Sequence, residues 1–426
     1  MKLLLIGYYH LAEGFLGAMN ALRNKYKYDI DFFPLSAYLN IYNTEDTIAH
    51  LKQFILKKDC ILLPEVISTN NQIPNVILWW NFSLDRESFL SVYNQDVPHR
   101  ISHIFYSWDD PFQTELMGPN DIFSRMDIVF TCCKKSIQYY MNQGCKTVYY
   151  AKPGFDPQVH HDIEEQNYDC DVSIVCTNLY DQPMHSGKAI NRKHMLDLIK
   201  NDHSIKFCIY GPNKLHKMYP DNYAGYVNFK DTHRVFNKSK INICTHVRKN
   251  TGYMYINERV CQILGSGGLL FIDNVAGLDK IIDRKTECVV IDETNILAQI
   301  HSILDNYAYY EVVKKYGRQH ALATMTWDGW ADIVHQGITT LYTNNFAKKN
   351  LSCEIAPCHI PLIDADYFSS AIKKMYLLCQ LIRKSLMGNM HYIKKLADIC
   401  NTYDIDINKY LQLNIDYIRA SIPLQR

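Results

Sequence analysis

The stretch of sequence that decides the fold runs from Tyr255 to Asp273 and reads YINERVCQILGSGGLLFID. In its first half, apolar residues recur at the spacing of one helical face: Ile256, Val260, Ile263 and Leu264. This spacing predicts an amphipathic helix. A glycine pair at 267–268 ends the helix, and the unbroken apolar run at 269–272 is typical of a buried parallel strand. The predicted order is therefore helix, glycine turn, buried strand.

The same helix has a polar face, which is formed by Glu258, Arg259 and Gln262. Three long polar side chains in an apolar neighbourhood are costly to bury unless something hydrogen-bonds to them. A bound ligand would meet that need. Solvent would also meet it if this were an ordinary amphipathic helix with a glycine at its C-terminal end. The residues of the helix alone leave both interpretations open.

Short apolar runs and helical patterns alternate along most of the chain. Strands are predicted at 2–7, 28–33, 60–63, 76–80, 101–106, 127–131, 147–151, 171–176, 206–210, 240–245, 269–272 and 288–291. Residues 152–157 read KPGFDP, which has the chemistry of a linker between two such series. The pattern predicts an α/β protein with two doubly wound Rossmann-like domains and a cleft between the carboxyl ends of their sheets. The predicted domains are residues 1–155 and 156–345, followed by a helical tail at 346–426.

Composition narrows the possible classes of function. Hydrophobic residues make up 47% of the 426 residues and charged residues 21%, which indicates a globular rather than a disordered protein. The net charge of +1 gives no electrostatic basis for binding nucleic acid. The 14 cysteines include no CxxC pair, so we expect free thiols rather than zinc. The N-terminal apolar run is too short for a signal peptide, and no run could span a membrane, so the sequence predicts a soluble, cytoplasmic protein.

The tail has a composition of its own. Helices are predicted at 366–385, 390–402 and 407–418, with basic pairs at 373–374, 383–384 and 394–395. Solvated helix faces that cover the body of the protein are the favoured interpretation. A surface for a membrane or a partner is the alternative.

Two doubly wound halves suit either dinucleotide oxidoreductases or nucleotide-sugar transferases. The first class needs a strand, then GxGxxG, then a helix. Here the first strand is followed by Gly7-Tyr8-Tyr9-His10, and the glycine cluster at 265–268 follows a helix and precedes a strand. The sequence also contains no GxxxxGK[ST] loop, which disfavours a P-loop kinase or ATPase. Sugar transfer remains the better interpretation.

A family resemblance supports this interpretation. The segment SKINI at 239–243, followed by His246, Asn257-Glu258-Arg259, Gly267-Gly268 and Asp273, resembles the C-terminal half of GT-B glycosyltransferases, closest to the CgeB-like group. The segment YSWDDP at 106–111 resembles the N-terminal domain of that group. The resemblance covers about residues 100–342. It implies that the first domain binds the acceptor and the second binds a nucleotide-sugar donor. It also implies that neither a metal nor a separate cofactor is needed.

Thirteen residues on the cleft side of the second half are predicted to bind the donor. They are Arg259, Glu258, Gln262, Asn257, Gly267, Gly268, His246, Arg248, Arg192, Thr177, Asn178, Tyr210 and Gly211. The arginines are there to stabilise the departing diphosphate. Lys193 and Lys249, beside Arg192 and Arg248, could assist them. Gly267 and Gly268 would let the backbone approach the donor.

One position departs from the family pattern. Many GT-B enzymes carry a glutamate that binds the donor ribose three positions after this arginine, where the present chain has Gln262. An amide can donate and accept a hydrogen bond, but it lacks the charge-assisted, two-pronged contact that a carboxylate makes with a diol. Glu258, one turn earlier on the same face, is a candidate substitute.

The acceptor side offers fewer candidates. Asp109 and Asp110 follow a strand on the cleft side, and Asp110 is the preferred general base. An Asx turn before Pro111 explains the same two residues equally well. His10, with Gly14, is a weaker alternative. The predicted function is transfer of a hexosyl or related glycosyl group from a nucleotide sugar to a glycan, protein or small-molecule acceptor. The alternative is a non-catalytic protein that binds sugar nucleotides or glycans.

Overall fold

A computed structural model describes residues 1–7, 12–57, 72–81, 84, 86–94, 101–108, 120–163, 167–179, 192–246 and 254–346. The described residues up to Ile209 and from Phe229 to Phe346 belong to one compact unit, whereas residues 210–228 belong to another. Within the larger unit, two parallel sheets follow one another along the chain.

The first sheet consists of six parallel strands. They are β1 (Lys2–Gly7), β2 (Asp29–Pro34), β3 (Val76–Trp80), β4 (Ser102–Ser107), β5 (Ile128–Thr131) and β6 (Val148–Tyr150), in the order β2-β1-β3-β4-β5-β6. Every pairing is parallel, with Leu5 opposite Phe32 on one side and Leu78 on the other. The order reverses between β1 and β3, and α/β proteins usually bind ligands in the crevice at such a point.

Helices connect these strands. They are α1 (Ala12–Tyr26), α2 (Leu35–Ile41), α3 (Thr44–Ile55), α4 (Arg86–Tyr93) and α5 (Ser136–Asn142), with a 3₁₀ turn at Asn120–Arg125. The side chain of Asn43 caps α3 by accepting a hydrogen bond from the backbone N–H of Asp46 at 2.8 Å. The predicted strand at 60–63 lies outside the described residues.

The second sheet is also parallel. Its strands in chain order include β7 (Cys170–Val175), β8 (Phe207–Tyr210), β10 (Ser239–Cys244), β11 (Leu270–Ile272) and β12 (Val289–Val290), and β10 lies between β7 and β11. The short strand β9 (Tyr223–Gly225) lies in the segment 210–228, where the Tyr223 hydroxyl donates to the Gly211 carbonyl. The helices are α6 (Arg192–Lys200), α7 (Thr232–Asn237), α8 (Glu258–Gly265), α9 (Ile296–Asp305), α10 (Tyr307–Thr324) and α11 (Trp327–Phe346).

Two parallel sheets with flanking helices confirm the predicted pair of Rossmann-like folds. The predicted helix, glycine turn and strand at 255–273 appear as α8, a turn and β11. None of the helices in the described part of the chain is both long and apolar enough to cross a membrane. The helices predicted in the tail lie outside the described residues.

The last described helix, α11, packs into the core of the first sheet. Its inward side chains share one apolar cluster with residues of β1 to β5; they are Trp327, Trp330, Ala331, Val334 and Ile338. Gly17 of α1 leaves room for the Trp327 indole, because a Cβ there would lie 2.4 Å from the ring. The chain therefore crosses to the second sheet after β6 and returns to the first at its end.

Gly154 marks the crossing point, and we predict that alanine there destabilises the protein by about 1–3 kcal/mol. A Cβ on Gly154 would lie 2.7 Å from the backbone nitrogen of Trp327 and 2.8 Å from the carbonyl carbon of Thr326. Backbone atoms cannot swing aside as a flexible side chain can. The matched control is Gly329→Ala inside α11, where the nearest atom to a Cβ is 3.8 Å away. Thermal unfolding of both variants measures the difference, and equal melting temperatures would contradict the prediction.

Two buried imidazoles should make the fold sensitive to acid. Burial lowers the pKa of His103, which accepts a hydrogen bond from the Trp79 indole, to about 3. Burial also lowers the pKa of His160, beside the Thr232 hydroxyl, to about 3. As the pH falls, the histidines of the unfolded chain bind protons at pH values where the buried imidazoles of the folded protein stay neutral. Stability is therefore fully present above the ordinary histidine pKa of about 6.5 and decreases as the pH falls towards 3, by about 1.4 kcal/mol per pH unit for each group.

Urea unfolding between those pH values measures the slope. His103→Asn keeps an acceptor for the Trp79 indole, and it should reduce the slope by the contribution of one proton. An unchanged slope in this variant would count against the assignment.

Candidate donor-binding site

The N-terminus of α8 lies at the carboxyl end of the second sheet. Asn257 adopts an extended conformation and caps the helix, with its side-chain oxygen accepting a hydrogen bond from the Arg259 backbone N–H at 3.1 Å. The Cys244 thiol at the end of β10 contacts the same oxygen at 3.4 Å. The cap therefore fixes the first turn of α8, which contains Glu258 and Arg259, directly beyond β10.

His246 joins the ends of two neighbouring strands to this cap. Its Nε2 accepts a hydrogen bond from the backbone N–H of Asn257 at 3.1 Å, so the proton of a neutral ring must be on Nδ1. Nδ1 lies 2.7 Å from Oδ1 of Asp273, which follows β11, and the His246 backbone N–H donates to Oδ2 at 2.9 Å. His246 therefore positions the cap from within the protein.

The Asp273 carboxylate is held in its charged form. Burial alone would raise its pKa, but the imidazole of His246 and two hydrogen bonds from that residue, with the charge of Arg192, outweigh burial and lower the pKa of Asp273 below its ordinary value. A buried carboxylate with such partners orients the ring rather than exchanging protons near neutral pH.

Arg192 is buried, although it stands at the first position of α6. Its Nε donates to the Thr245 hydroxyl at 2.8 Å, and its two terminal nitrogens donate to the carbonyls of Thr245 and Asn178, each at 2.6 Å. Asn178 follows β7 and Thr245 follows β10. The guanidinium thus clamps together the loops at the carboxyl ends of adjacent strands and places a fixed positive charge there.

The positive charges of Arg259 and Arg192 both act at the end of β10. Burial raises the pKa of the Cys244 thiol to about 11, while the positive charges of Arg259 and Arg192 act in the opposite direction. Both guanidinium groups therefore lie near the end of β10. A concentration of positive charge at a helix N-terminus favours an anionic ligand.

The charge of Glu258 acts on a tyrosine of the first sheet. Burial raises the pKa of the Tyr106 hydroxyl well above its ordinary value, and the charges of nearby groups, including Glu258, add to this effect. Tyr106 is the last residue but one of β4, and its hydroxyl donates to the carbonyl of Ala151 at 3.3 Å. The first turn of α8 therefore lies where the two sheets approach each other.

Gln262 lies one turn further into α8 and is only 5% exposed. Its side-chain amide makes no hydrogen bond to another described residue. Its backbone carbonyl accepts a hydrogen bond from the backbone N–H of Ser266 at the end of the helix. Its position on the same face as Glu258 agrees with the sequence pattern.

The structure places Gly267 and Gly268 at the other end of α8, and their predicted contact with the donor stays a prediction. An eight-residue helix is about 12 Å long. Gly267 has a φ of 79° in the turn, and a Cβ on Gly268 would lie 2.8 Å from the Asn242 side chain. Both glycines allow the helix-to-strand turn to pack closely, far from the Asn257 cap.

Several predicted residues cannot be placed with this group. Asp109, Asp110, His10 and Arg248 lie outside the described residues. Thr177 is exposed beside Asn178, after β7. Tyr210 ends β8 and is the first residue of the segment 210–228, in which Gly211 follows it; this segment is described by itself. Trp108, immediately before Asp109, is held at the end of β4 by hydrogen bonds with Asn81 and Cys132.

Two residues that build the site were not among the predicted ligands. These residues are Thr245 and Asp273, which hold Arg192 and His246 in place through hydrogen bonds. Their position in the sequence could have identified them, because each is the first residue after a buried strand. Within the described ranges, no group of three His, Cys, Asp or Glu side chains could hold a metal ion.

Comparison with known proteins bears on the fold and on the family of the second half. Residues 192–336 match the family model described as glycosyl transferase-like. No curated protein matches the chain. Among solved structures, sucrose-phosphate synthase from Thermosynechococcus elongatus has a TM-score of 0.55 at 11% identity, covering 82% of this chain and 100% of that one. HepE from Anabaena, in complex with UDP and glucose, has a TM-score of 0.54 at 9% identity, covering 80% and 100%.

Trehalose-6-phosphate synthase OtsA gives a TM-score of 0.52 at 9% identity, covering 80% of this chain and 99% of that one. At such low identity these likenesses establish the fold. The chain therefore has the GT-B fold, and the family match over 192–336, which contains the capped helix α8 and both arginines, supports a glycosyltransferase.

Proposed function

We propose that the protein transfers a sugar from a nucleotide-sugar donor to an acceptor without a metal ion. The observation that carries the proposal is the capped N-terminus of α8, with Arg259 in its first turn and the Arg192 clamp beside it. Sugar transfer develops negative charge on the departing diphosphate. Positive groups that are fixed before the reaction stabilise that charge without reorganising during it.

A uridine nucleotide is the first donor to test. Structures of the GT-B neighbour HepE hold UDP with glucose, or UDP-glucose. In the present chain, the diphosphate would lie against the α8 N-terminus, with Arg259 and Arg192 as its positive partners. Glu258 and Gln262 face the same space and would contact the ribose or the sugar. The resemblance to the CgeB-like group leads to the same assignment.

On the acceptor side, we propose Asp110 as the general base, with Asp109 and then His10 as alternatives. Support comes from the anchored position of Trp108, because the chain enters Asp109 from the carboxyl end of β4. That end lies at the same edge of the sheet as the crevice between β1 and β3, where the strand order reverses. The acceptor is a glycan, a protein or a small molecule with a free hydroxyl group.

The direct test is a panel of nucleotide sugars, with release of nucleoside diphosphate measured by chromatography. Thermal shift with the same panel measures binding separately, because a ligand that binds the folded state raises the melting temperature. Release from at least one donor, together with a thermal shift for it, supports the proposal. A panel that gives neither signal would sink it.

Chelation should leave the rate of transfer unchanged. The α8 N-terminus and the two arginines supply the positive charge that a divalent cation supplies in other transferases. The measurement compares rates after treatment with excess EDTA and after addition of Mg²⁺ or Mn²⁺. A loss of activity that either metal restores would contradict metal independence.

Gln262 favours the second candidate function, a protein that binds a sugar nucleotide without turning it over. The two functions differ in one measurement, since a binding protein gives a thermal shift with a donor but releases no diphosphate. Gln262→Glu sharpens the comparison. If the amide is what prevents catalysis, this variant gains release, whereas in an active enzyme it changes mainly the affinity for the donor.

A further inference from the structure

The segment that leads into α8 has an unusual backbone conformation. Met254, shortly before the Asn257 cap, has a φ of 58°, in the left-handed region that residues other than glycine rarely adopt. Its backbone N–H donates to the carbonyl of Ala276, beyond β11, at 2.7 Å. A strained residue persists only where its surroundings hold it in place, and such residues are concentrated at functional sites. The contacts of Met254 and its neighbour are therefore of interest for the site at α8.

The first sheet supplies one of these contacts. Tyr150 is the last residue of β6, and its hydroxyl donates to the carbonyl of Met254 at 3.0 Å. Burial raises the pKa of the Tyr150 hydroxyl, so the group keeps its proton and remains a donor. The next residue, Ala151, is held by the Tyr106 hydroxyl, which donates to its carbonyl. A hydrogen bond thus joins the carboxyl end of the first sheet to the segment that enters α8.

Tyr255 makes a second contact between the two halves. It is 7% exposed and shares one apolar cluster with Cys132 and Cys133, which follow β5. Its ring also lies edge-on to the His246 imidazole, with 5.5 Å between the ring centres. His246 is the residue whose Nε2 accepts a hydrogen bond from the backbone of Asn257. Two contacts from the first half therefore reach consecutive residues just before the cap.

We propose that Tyr150 is a positioning residue for the nucleotide-sugar donor, although it belongs to the half that is expected to bind the acceptor. It acts through the backbone of Met254, which sets the position of the α8 N-terminus and of Arg259. The inference rests on the proposed function, because the ligand in question is the diphosphate at that N-terminus. The donor site is thus completed by the first half rather than built by the second half alone.

Tyr307 provides the matched control. Its hydroxyl donates to the carbonyl of Lys240, also at 3.0 Å and also in a partly buried place. Lys240 lies near the start of β10, at the opposite end of that strand from Cys244 and the cap. Tyr150→Phe and Tyr307→Phe therefore remove the same kind of bond, one beside the α8 N-terminus and one away from it. Phenylalanine keeps the ring in both variants, so the fold should survive.

Hydrogen exchange of the free, full-length protein tests the contact without any ligand. The amides to follow are those of Asn257 and Arg259, which donate to the His246 ring and to the Asn257 side chain. They should exchange about three- to tenfold faster in Tyr150→Phe, the effect expected for the loss of one hydrogen bond, and as in the wild type in Tyr307→Phe. A hydroxyl that only joined the two halves would leave both amides unchanged. Unchanged rates in Tyr150→Phe overturn the proposal.

Calorimetric titration measures the consequence for the ligand. The probes are UDP, GDP and ADP, which bind as products of transfer and require no turnover. For a probe that binds the wild type, Tyr150→Phe should raise the dissociation constant about three- to tenfold, and Tyr307→Phe should leave it unchanged. Equal affinities in the wild type and Tyr150→Phe overturn this inference but not the proposed function, and so does an equal loss in both variants. A wild type that binds none of the three overturns both.

Discussion

Replacing Arg259 by alanine should lower kcat/KM for sugar transfer by about 10²- to 10³-fold, the usual effect of removing one fixed group that stabilises charge in the transition state. Arg259 is half-buried in the first turn of α8, beside the Asn257 cap, and its charge acts at the end of β10. The developing charge on the diphosphate would lose this partner, while the helix dipole and Arg192 would remain.

The fold of this variant should survive. The cap uses the backbone N–H of residue 259, which alanine retains, and the buried positions of α8 are Val260 to Gly265. We therefore expect a melting temperature close to that of the wild type without donor, and a smaller thermal shift with donor.

Arg259→Lys is the informative control. Lysine keeps the charge but loses the planar fork of donors, so its activity should lie between those of the wild type and the alanine variant. Initial rates with the best donor of the panel measure all three proteins. If alanine at 259 leaves both the rate and the donor-induced shift unchanged, Arg259 has no role at the diphosphate.

Replacing Asp31 by asparagine should destabilise the first half by about 3 to 5 kcal/mol, because it leaves buried positive charge without its main counter-charge. Asp31 on β2 is 1% exposed. Its two oxygens bind Lys2 at 2.8 Å and Lys57 at 2.5 Å, and both ammonium groups are largely buried. Asp29 lies 3.3 Å from Lys2 but is partly exposed, so it can compensate only in part.

The control has the same atoms at the same distance but in solvent. Lys193 and Asp197 on α6 are also 2.5 Å apart, with side chains 37% and 39% exposed. Exposed pairs at i, i+4 contribute about 0.3–0.5 kcal/mol. Thermal unfolding should therefore show a decrease on the order of 10 °C for Asp31→Asn and almost none for Asp197→Asn. Similar decreases in the two variants would show that burial is not what makes the Asp31 cluster matter.

The sheets could be predicted because buried parallel strands leave continuous apolar runs. The runs VILWW at 76–80 and LLFI at 269–272 both predicted strands that the structure contains. The helical patterns between successive apolar runs predicted the helices that connect parallel strands. The return of α11 to the first sheet could not be predicted in the same way. The apolar residues of α11 follow the spacing of any amphipathic helix. That spacing does not say which sheet the helix packs against, because tertiary packing decides it.

The site was predicted in part for a similar reason. Asn257 and Arg259 occupy recognisable positions at the start of a helix, and the structure places them at the carboxyl end of the sheet. Arg192 was predicted as a positive charge for the diphosphate, but the sequence does not show that it is buried, because the backbone carbonyls that accept its hydrogen bonds come from two loops that meet only in the fold. The packing role of Gly268 could not be predicted, because it depends on Asn242 of the neighbouring strand β10, which lies close only in the folded chain.

The route of the chain sets the order in which the halves can be finished during synthesis. The core of the first sheet includes Trp327, Trp330 and Val334, which leave the ribosome long after β1 to β6 have done so. Until they emerge, Trp80 and Tyr106 lack the aromatic neighbours that cover them. A nascent chain that stops before α11 would thus display an unfinished apolar surface, the kind that chaperones recognise. The half that is translated first is, for this protein, the half that is completed last.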